Sequence, residues 1–507
     1  MGTAVLMSGY FDSGAAGVLV AAMGLLGIGL SGVVWAAPSE NGGTLKRIIW
    51  SVIYALIVME FVRSVSYGLW LPAALYLAGF YVTAALAIHF LHPRAGLFGV
   101  AAFSLVGFLR IDILAGPGRE ILGNNGALIP AATGLALPFG DTVYAIASMP
   151  VLYRAAHISG ASIIVLAYAA AGMFAVRAVR ERRPVFAGTA VTVIGVILII
   201  SFIMKPDMSG PEVPILVCQG NVAPENTPIR FSVKKPGEDP LITHYRWFTQ
   251  EGLRANPGST NATLVVWPES SWPGLVDAGK PPDYPEWLDG KTLIAAGWSF
   301  RLAGGTPTAG NAALVLGPET FSLRDKAVLT PFGEYVPWRL ENLVRPRRTD
   351  AWDGDLTPGE WPRHTVEVTQ VRFGTLVCWE DCFPGRLAVE ARNGAQALVV
   401  VTNDGWFAGT SEPWQHAAAL RVRAVEAGLP AVRAGNIAPS FIMNASGQIT
   451  AQFRGKAGYV SGRLVPGADS PLCFFGIGGW LLTAVLAAAL AWPNRKNHPG
   501  RDSYSAV

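Results

Sequence analysis

Residues 371–384 read Val-Arg-Phe-Gly-Thr-Leu-Val-Cys-Trp-Glu-Asp-Cys-Phe-Pro. A largely apolar run with β-branched residues ends abruptly at Cys378, and two acids, Glu380 and Asp381, follow at once. A strand that presents a nucleophile at the mouth of a sheet has this form. Sulfur attacks as thiolate, so such a cysteine needs a base or a cation beside it. Both stand upstream. Glu269 follows the apolar run 262–267 in Ala-Thr-Leu-Val-Val-Trp-Pro-Glu, and Lys326 lies in Arg-Asp-Lys-Ala-Val-Leu-Thr-Pro-Phe-Gly-Glu-Tyr-Val-Pro-Trp. Desolvation at a buried strand end would raise the Glu269 carboxyl toward the range useful to a general base. The Lys326 ammonium would lower the cysteine pKa and stabilise an oxyanion, with the Trp379 N–H as the natural second donor.

Around that stretch, residues 211–470 alternate short apolar runs with Pro, Gly, Asn and charged residues. Strands are expected at 213–218, 262–267, 292–296, 312–316, 365–368, 371–378, 397–401 and 440–444, and helices at 240–254 and 415–426. Interleaved strands and helices imply an α/β domain with helices packed outside the sheet, and about 260 residues suffice for one large core.

The first 205 residues differ in kind. Apolar spans run over 14–36, 48–61, 71–90, 96–109, 159–176 and 186–203, and 122–153 adds one more, interrupted by Pro130 and Pro138. Several reach the roughly 17–25 residues of a transmembrane helix, so about seven helices are expected. The first span lacks a basic leader and is followed by further spans, so it reads as a retained helix rather than a signal peptide. Composition agrees: 51% of residues are hydrophobic and 15% charged, against about a quarter charged in soluble proteins. A net charge of +4, scattered, does not suggest nucleic acid binding. Four cysteines in 507 residues are no disulfide framework, and no second Cys/His pair joins Cys378 and Cys382 in a zinc site. No metal or organic cofactor is expected.

Basic residues set the expected orientation. Arg177, Arg180, Arg182 and Arg183 cluster between two spans, which places that loop in the cytoplasm. The next helix then delivers residues 206–470 to the periplasm. A final span over 474–492 returns the chain, and Arg495, Lys496 and Arg501 follow it. The expected domains are thus a helical membrane bundle (1–205), a periplasmic catalytic domain (206–470) and a C-terminal helix with a basic tail (471–507). Lys46 and Arg47 dissent, because seven spans put them on the periplasmic side.

Glu269, Lys326 and Cys378, in that order and at those separations, resemble the Glu-Lys-Cys triad of the nitrilase (carbon–nitrogen hydrolase) superfamily. The words Trp-Pro-Glu, Pro-Phe-Gly-Glu-Tyr-Val-Pro and Thr-Asn-Asp-Gly-Trp-Phe, followed by Gln415-His416 and Arg423-Ala424-Val425-Glu426, resemble its membrane-embedded branch, the apolipoprotein N-acyltransferase family. The resemblance covers roughly 214–464 and, before that, is one of layout only. It implies an αββα sandwich of two sheets joined to a multi-span α-helical membrane domain. It also implies an enzyme of the bacterial inner membrane that takes a fatty acyl chain from a phospholipid as a Cys378 thioester. The acceptor would be the N-terminal amine of a diacylglyceryl-cysteine lipoprotein. Glu334 resembles a second glutamate near the triad, and Glu380 matches an acidic position after the nucleophile. Asn403, Asp404, Trp406, Phe407, Gln415, His416, Arg423, Glu426, Arg433 and Asn436 complete the likeness, most of them as braces of the site's loops. His416 reads as structural, since Glu269 already fills the base role. Trp379, Phe383, Trp406, Phe407 and Trp414 are candidates to line a water-excluding acyl site.

Two departures stand out. Trp379 replaces the tyrosine usual in that family, and the loop 221–231 lacks the tryptophan expected near the entrance, with Phe231 a partial substitute. The early helices also lack the family's words. Alternatives are therefore a nitrilase-like membrane protein of the conjugal-transfer TraB type and a periplasmic amidase. A catalytically silent scaffold would have no physical need for three separated polar groups.

Overall fold

A computed structural model describes residues 14–467, apart from 93, 114–136, 205, 207, 209, 224–238, 257–262, 304–305, 337–354, 361–364, 369 and 438. The expected final span and basic tail, Phe231, and residues 122–136 of the 122–153 span lie outside the described residues.

Six helices of more than ten residues precede the sheets among the described residues: α1 (Ala15–Ala36), α2 (Gly43–Val58), α3 (Tyr67–Leu91), α4 (Gly96–Phe108), α5 (Ala161–Glu181) and α6 (Pro184–Ile203). Four of them, α1, α3, α5 and α6, are long and apolar enough to cross a membrane, while α2 and α4 are shorter. Helices in lipid gain little from burying apolar surface against one another, so close packing decides how they meet. Gly29 on α1 faces Gly172 on α5 so closely that a Cβ at Gly172 would come within 2.3 Å of the Gly29 Cα. Where 122–153 is described, it forms short turns (Thr142–Ile146, Pro150–Leu152) rather than a span.

Arg47, the dissenting basic residue, is fully buried. Its guanidinium donates to the carbonyl of Ala37 at 2.6 Å and of Trp35 at 3.3 Å, and to Ser39 Oγ at 2.9 Å. Those carbonyls belong to the unpaired end of α1, which the arginine therefore caps. A charge used up this way says little about membrane sidedness. Arg177, Arg180, Arg182 and Arg183 are exposed.

Thirteen strands follow in two sheets. One has the order β13-β1-β2-β4-β5-β6, with β3 paired on β4; the other runs β12-β11-β10-β9-β8-β7. Their ranges are β1 Val213–Gln219, β2 Leu264–Val266, β3 Leu275–Asp277, β4 Thr292–Ala303, β5 Thr306–Leu316, β6 Phe321–Asp325, β7 Val366–Val368, β8 Val371–Val377, β9 Ala397–Thr402, β10 Ala431–Gly435, β11 Phe441–Met443, β12 Ile449–Gln452 and β13 Gly458–Leu464. Outside the first sheet packs α7 (Pro240–Ala255); outside the second pack α8 (Pro384–Arg392) and α9 (Glu412–Ala427).

Strand period explains the layers. Val371, Phe373 and Val377 of β8, and Ala397, Val399 and Val401 of β9, point between the sheets to meet Ile215, Val217, Leu264, Val266 and Ile294. The alternate residues Leu376, Leu398 and Val400 face Leu387 of α8 and Leu420 of α9. Val265, Leu293 and Ala295 likewise face Ile242, Tyr245 and Phe248 of α7. Both faces are covered, so the central strands read as unbroken apolar runs. The result is the αββα sandwich, with parallel β1/β2, β2/β4, β8/β9 and β9/β10 pairs at its heart.

Candidate active site

Three strand ends converge. Glu269 stands three residues beyond β2, Lys326 directly follows β6, and Cys378 directly follows β8. Cys378 has φ +55° and Ser270, after Glu269, has φ +61°. Left-handed backbone costs roughly 1–2 kcal/mol at a residue with a Cβ. At Cys378 it turns the chain sharply out of the sheet into a short helix, Cys378–Cys382, which Pro384 at the start of α8 brings to a close.

Glu269 and Lys326 are buried; Cys378 keeps part of its surface open. Glu269 Oε1 accepts from Asn311 Nδ2 at 2.6 Å and Oε2 from the Asn403 N–H at 2.8 Å. Burial and the Glu334 charge raise its carboxyl above the usual range, against the lowering effect of Lys326 and these donors. That is the direction expected of a base near neutral pH. Lys326 Nζ lies 2.9 Å from Glu334 Oε2 and 3.1 Å from Thr330 Oγ1. Burial penalises its ammonium, but the charges of Cys378, Glu334 and Glu269 outweigh this and raise it, so the lysine is a cation.

The cysteine departs from expectation. Burial and Glu269 push the Cys378 thiol well above its ordinary value, and the opposing pull of Lys326 and His416 does not compensate. Its proton is therefore held more tightly than that of an ordinary thiol. Its proton must leave as the sulfur attacks, and Glu269 is the basic group beside it.

Glu334 bridges two partners, since its other oxygen accepts from Asn311 Nδ2 at 2.7 Å. One amide thus holds two carboxylates. Sequence reasoning missed Asn311; the available signal was a lone Asn inside the apolar run of β5. Glu380 staples the lysine loop to the nucleophile elbow. It accepts from the N–H groups of Ala327 (2.8 Å) and Val328 (3.3 Å) on one side and of Val377 (2.9 Å) on the other, and Arg386 Nε lies 3.3 Å away. Trp379 donates its indole N–H to the Val328 carbonyl at 2.6 Å, tying the same two segments.

The apolar surroundings join the two parts of the chain. Trp379, Cys382, Phe383 and Val328 belong to one buried cluster with residues of the apolar helices, among them Phe61 and Phe103, and Phe407 packs on it. Phe407 meets Phe61 edge-on at 5.3 Å. Cys378 touches this cluster and the inter-sheet core alike. Trp406 is exposed. Trp414, expected in the lining, instead packs between the second sheet and its helices, because its position on α9 faces the sheet.

Beneath the elbow lies a second polar cluster of Asp381, Cys382, Asp404, Glu412, His416 and Arg433. Asp381, Cys382 and His416, or Asp404, Glu412 and His416, have the spacing of metal ligands. Both His416 nitrogens, Asp381 Oδ1 and Asp404 Oδ1 are engaged with one another, Arg433 occupies Asp404 Oδ2 at 2.6 Å, and Asp381 Oδ2 and Glu412 Oε2 are left without a hydrogen-bond partner among the described residues. A guanidinium in that place opposes a further cation.

Residues 232–461 match the family model of carbon–nitrogen hydrolases, and the chain carries such a domain. It is similar to the apolipoprotein N-acyltransferase of Brucella suis, 32% identical over 250 residues (46% of this chain, 45% of that one). It is also similar to that of Agrobacterium fabrum, 31% over 260 residues (48% and 47%). The chain thus spans about half the length of the curated relatives it matches. Among solved structures it is similar to Saccharomyces cerevisiae Nit3, a member of branch 10 of the nitrilase superfamily. That likeness has 15% identity and a TM-score of 0.38, and covers 58% of this chain and 100% of that one. An amidase from Nesterenkonia sp. gives 17% and 0.34, covering 53% and 94%. At such scores the fold assignment rests on the sheets and helices described above.

Proposed function

We propose that the chain is a membrane N-acyltransferase that carries an acyl group on Cys378. The observation that carries this reading is the position of Cys378. It stands beside a buried carboxylate and a buried ammonium, and also against the apolar cluster of the membrane-type helices. A nitrilase-type site acting on small amides needs no such neighbour. A lipid substrate does.

In the first half-reaction the thiol proton passes to Glu269 as sulfur attacks the ester carbonyl of a phospholipid. Lys326 faces the oxyanion. The lysophospholipid leaves as an alcohol, taking the proton from Glu269, and the acyl chain remains as a thioester. In the second, the N-terminal amine of a lipoprotein attacks. Glu269 takes its proton, the carbon–sulfur bond breaks, and the proton returns to sulfur. Trp379, Phe383 and Phe407 shield the thioester from water. Asn311, Glu334 and Glu380 hold the three groups in place. Residues 206–470 form the catalytic unit, facing the periplasm from the inner membrane, with the exposed arginines after α5 in the cytoplasm. The names and likeness of the curated relatives support the acyl acceptor.

The test is rescue. Cells depleted of their own lipoprotein N-acylation should recover it with this chain and not with Cys378→Ala expressed at equal level. Rescue by the alanine variant would end the mechanism. Failure of the wild type, with a folded and correctly inserted protein, would favour the TraB-type or amidase alternatives.

A further inference from the structure

We propose that His416 is a positioning residue whose two ring nitrogens, both donating, clasp the elbow that carries Cys378 to the loop that holds Glu269. This rests on the proposed reaction for its purpose, but its geometry stands alone. His416 Nε2 lies 2.7 Å from Asp381 Oδ1 and Nδ1 lies 2.9 Å from Asp404 Oδ1. Asp381 is in the elbow helix, three residues after Cys378. Asp404 adjoins Asn403, whose N–H donates to Glu269 Oε2. One ring therefore links the short helix that begins at the nucleophile to the 403–404 segment whose Asn403 N–H holds the base.

Each ring nitrogen faces a carboxylate oxygen, and a carboxylate oxygen accepts, so two of them on one imidazole call for two N–H groups. Among the described residues, the other charged and titratable groups around the ring are Arg433, Glu412, Cys382 and the Cys378 thiol, which His416 itself acts on. From β10, Arg433 balances Asp404. Burial opposes the Asp404 charge, but Arg433 and His416 outweigh it and hold its carboxyl below the usual range. On its own helix, Glu412 Oε1 stands 3.7 Å from Nδ1, and burial with the Asp404 charge raises that carboxyl well above the usual range. From the elbow, Cys382 Sγ donates to Asp381 Oδ1 at 3.4 Å. From the described residues just before Asp141, the apolar ring of Phe139 approaches, its centroid at 6.5 Å. Burial penalises the imidazolium, yet Asp381 and Asp404 raise His416 well above ordinary histidine. A group raised in this way holds its clasp through neutral pH and releases it only as the pH climbs through that raised value.

Two measurements on the full-length protein in detergent test this without using acyl transfer. With ¹⁵N-labelled histidine, one ring should keep both protons at a pH where an ordinary histidine, of pKa ~6.5, has lost one, and be missing from His416→Gln. If every ring has deprotonated by then, the proposal is overturned. Site-resolved alkylation by iodoacetamide reads the elbow. His416→Gln should slow the reaction at Cys378 by up to ~10²-fold and displace its pH profile, with Cys218 unaffected. Adding Asp381→Asn removes the repulsion between the two carboxylates and should restore most of the rate. Unchanged alkylation in folded His416→Gln, or no recovery in the double variant, overturns it. Should His416→Gln not fold, the wild-type spectrum and the double variant decide. If the clasp signatures appear but no phospholipid acylates the wild type, the proposed function fails and the clasp stands.

Discussion

Asn311 shows how much chemistry a single side chain can hold in place. Its one amide nitrogen serves Glu269 and Glu334 together. A hydrogen bond to a charged group contributes about 1.5–3 kcal/mol, so Asn311→Ala should lower kcat roughly 10- to 100-fold with the fold intact. The sign of the pH effect follows as well. Asn311 lowers the Glu269 pKa, so its loss raises a value that burial has already raised. The base form then appears only at higher pH, and the acidic limb of the rate profile should move upward. A profile that stays in place would mean that Glu269 is not the titrating base. Cys378 and Glu269 could be picked out of the sequence because each closes or follows an apolar run, whereas Lys326, after Phe-Ser-Leu-Arg-Asp, stood out only through the family resemblance of the words around it. Asn311, and the network around His416, could not. Their meaning depends on which strand end each faces, which local patterning does not contain.

Elements tell a similar story. Central strands such as β8 and β9 are apolar throughout and were legible. β6 and β12 are half-exposed edges, and β10 carries the buried Arg433, so none looks like a core strand on its own. β4 continues well past the expected 292–296, because β5 pairs with it along its whole length. The pattern also could not show what Arg47 does. A basic pair near a helix end reads as a topology signal, whereas the structure buries one of the two as the cap of α1. Arg47→Ala should lower the unfolding midpoint in detergent by several degrees and leave insertion unchanged. Lys46→Ala should do neither. A flipped topology in Arg47→Ala would restore the pair as a signal of sidedness.

Across the whole molecule, α9 joins the two halves. Arg423 pairs at 2.6 Å with Asp141, beside the membrane helices, and at 2.6 Å with Glu426, which accepts at 2.6 Å from the Ala161 N–H at the start of α5. Removing one partner of a buried pair costs about 3–5 kcal/mol, and Asp141→Ala should show it as a lower unfolding midpoint. Combined with Arg423→Ala it should cost less than the sum, and full additivity would mean the pair is not coupled. The two-part layout was plain from composition. That the parts share an apolar cluster at Cys378 was not, because contacts across some three hundred residues leave no local trace.

The proposed reaction turns on a sulfur that takes an acyl chain from lipid. Purified full-length protein, incubated with a phospholipid and no acceptor, should carry that acyl chain on the peptide containing Cys378, detected by mass spectrometry and released by hydroxylamine. Glu269→Gln and Cys378→Ala should carry none. An unmodified Cys378 in protein that transfers acyl groups, or an adduct on another residue, would contradict it.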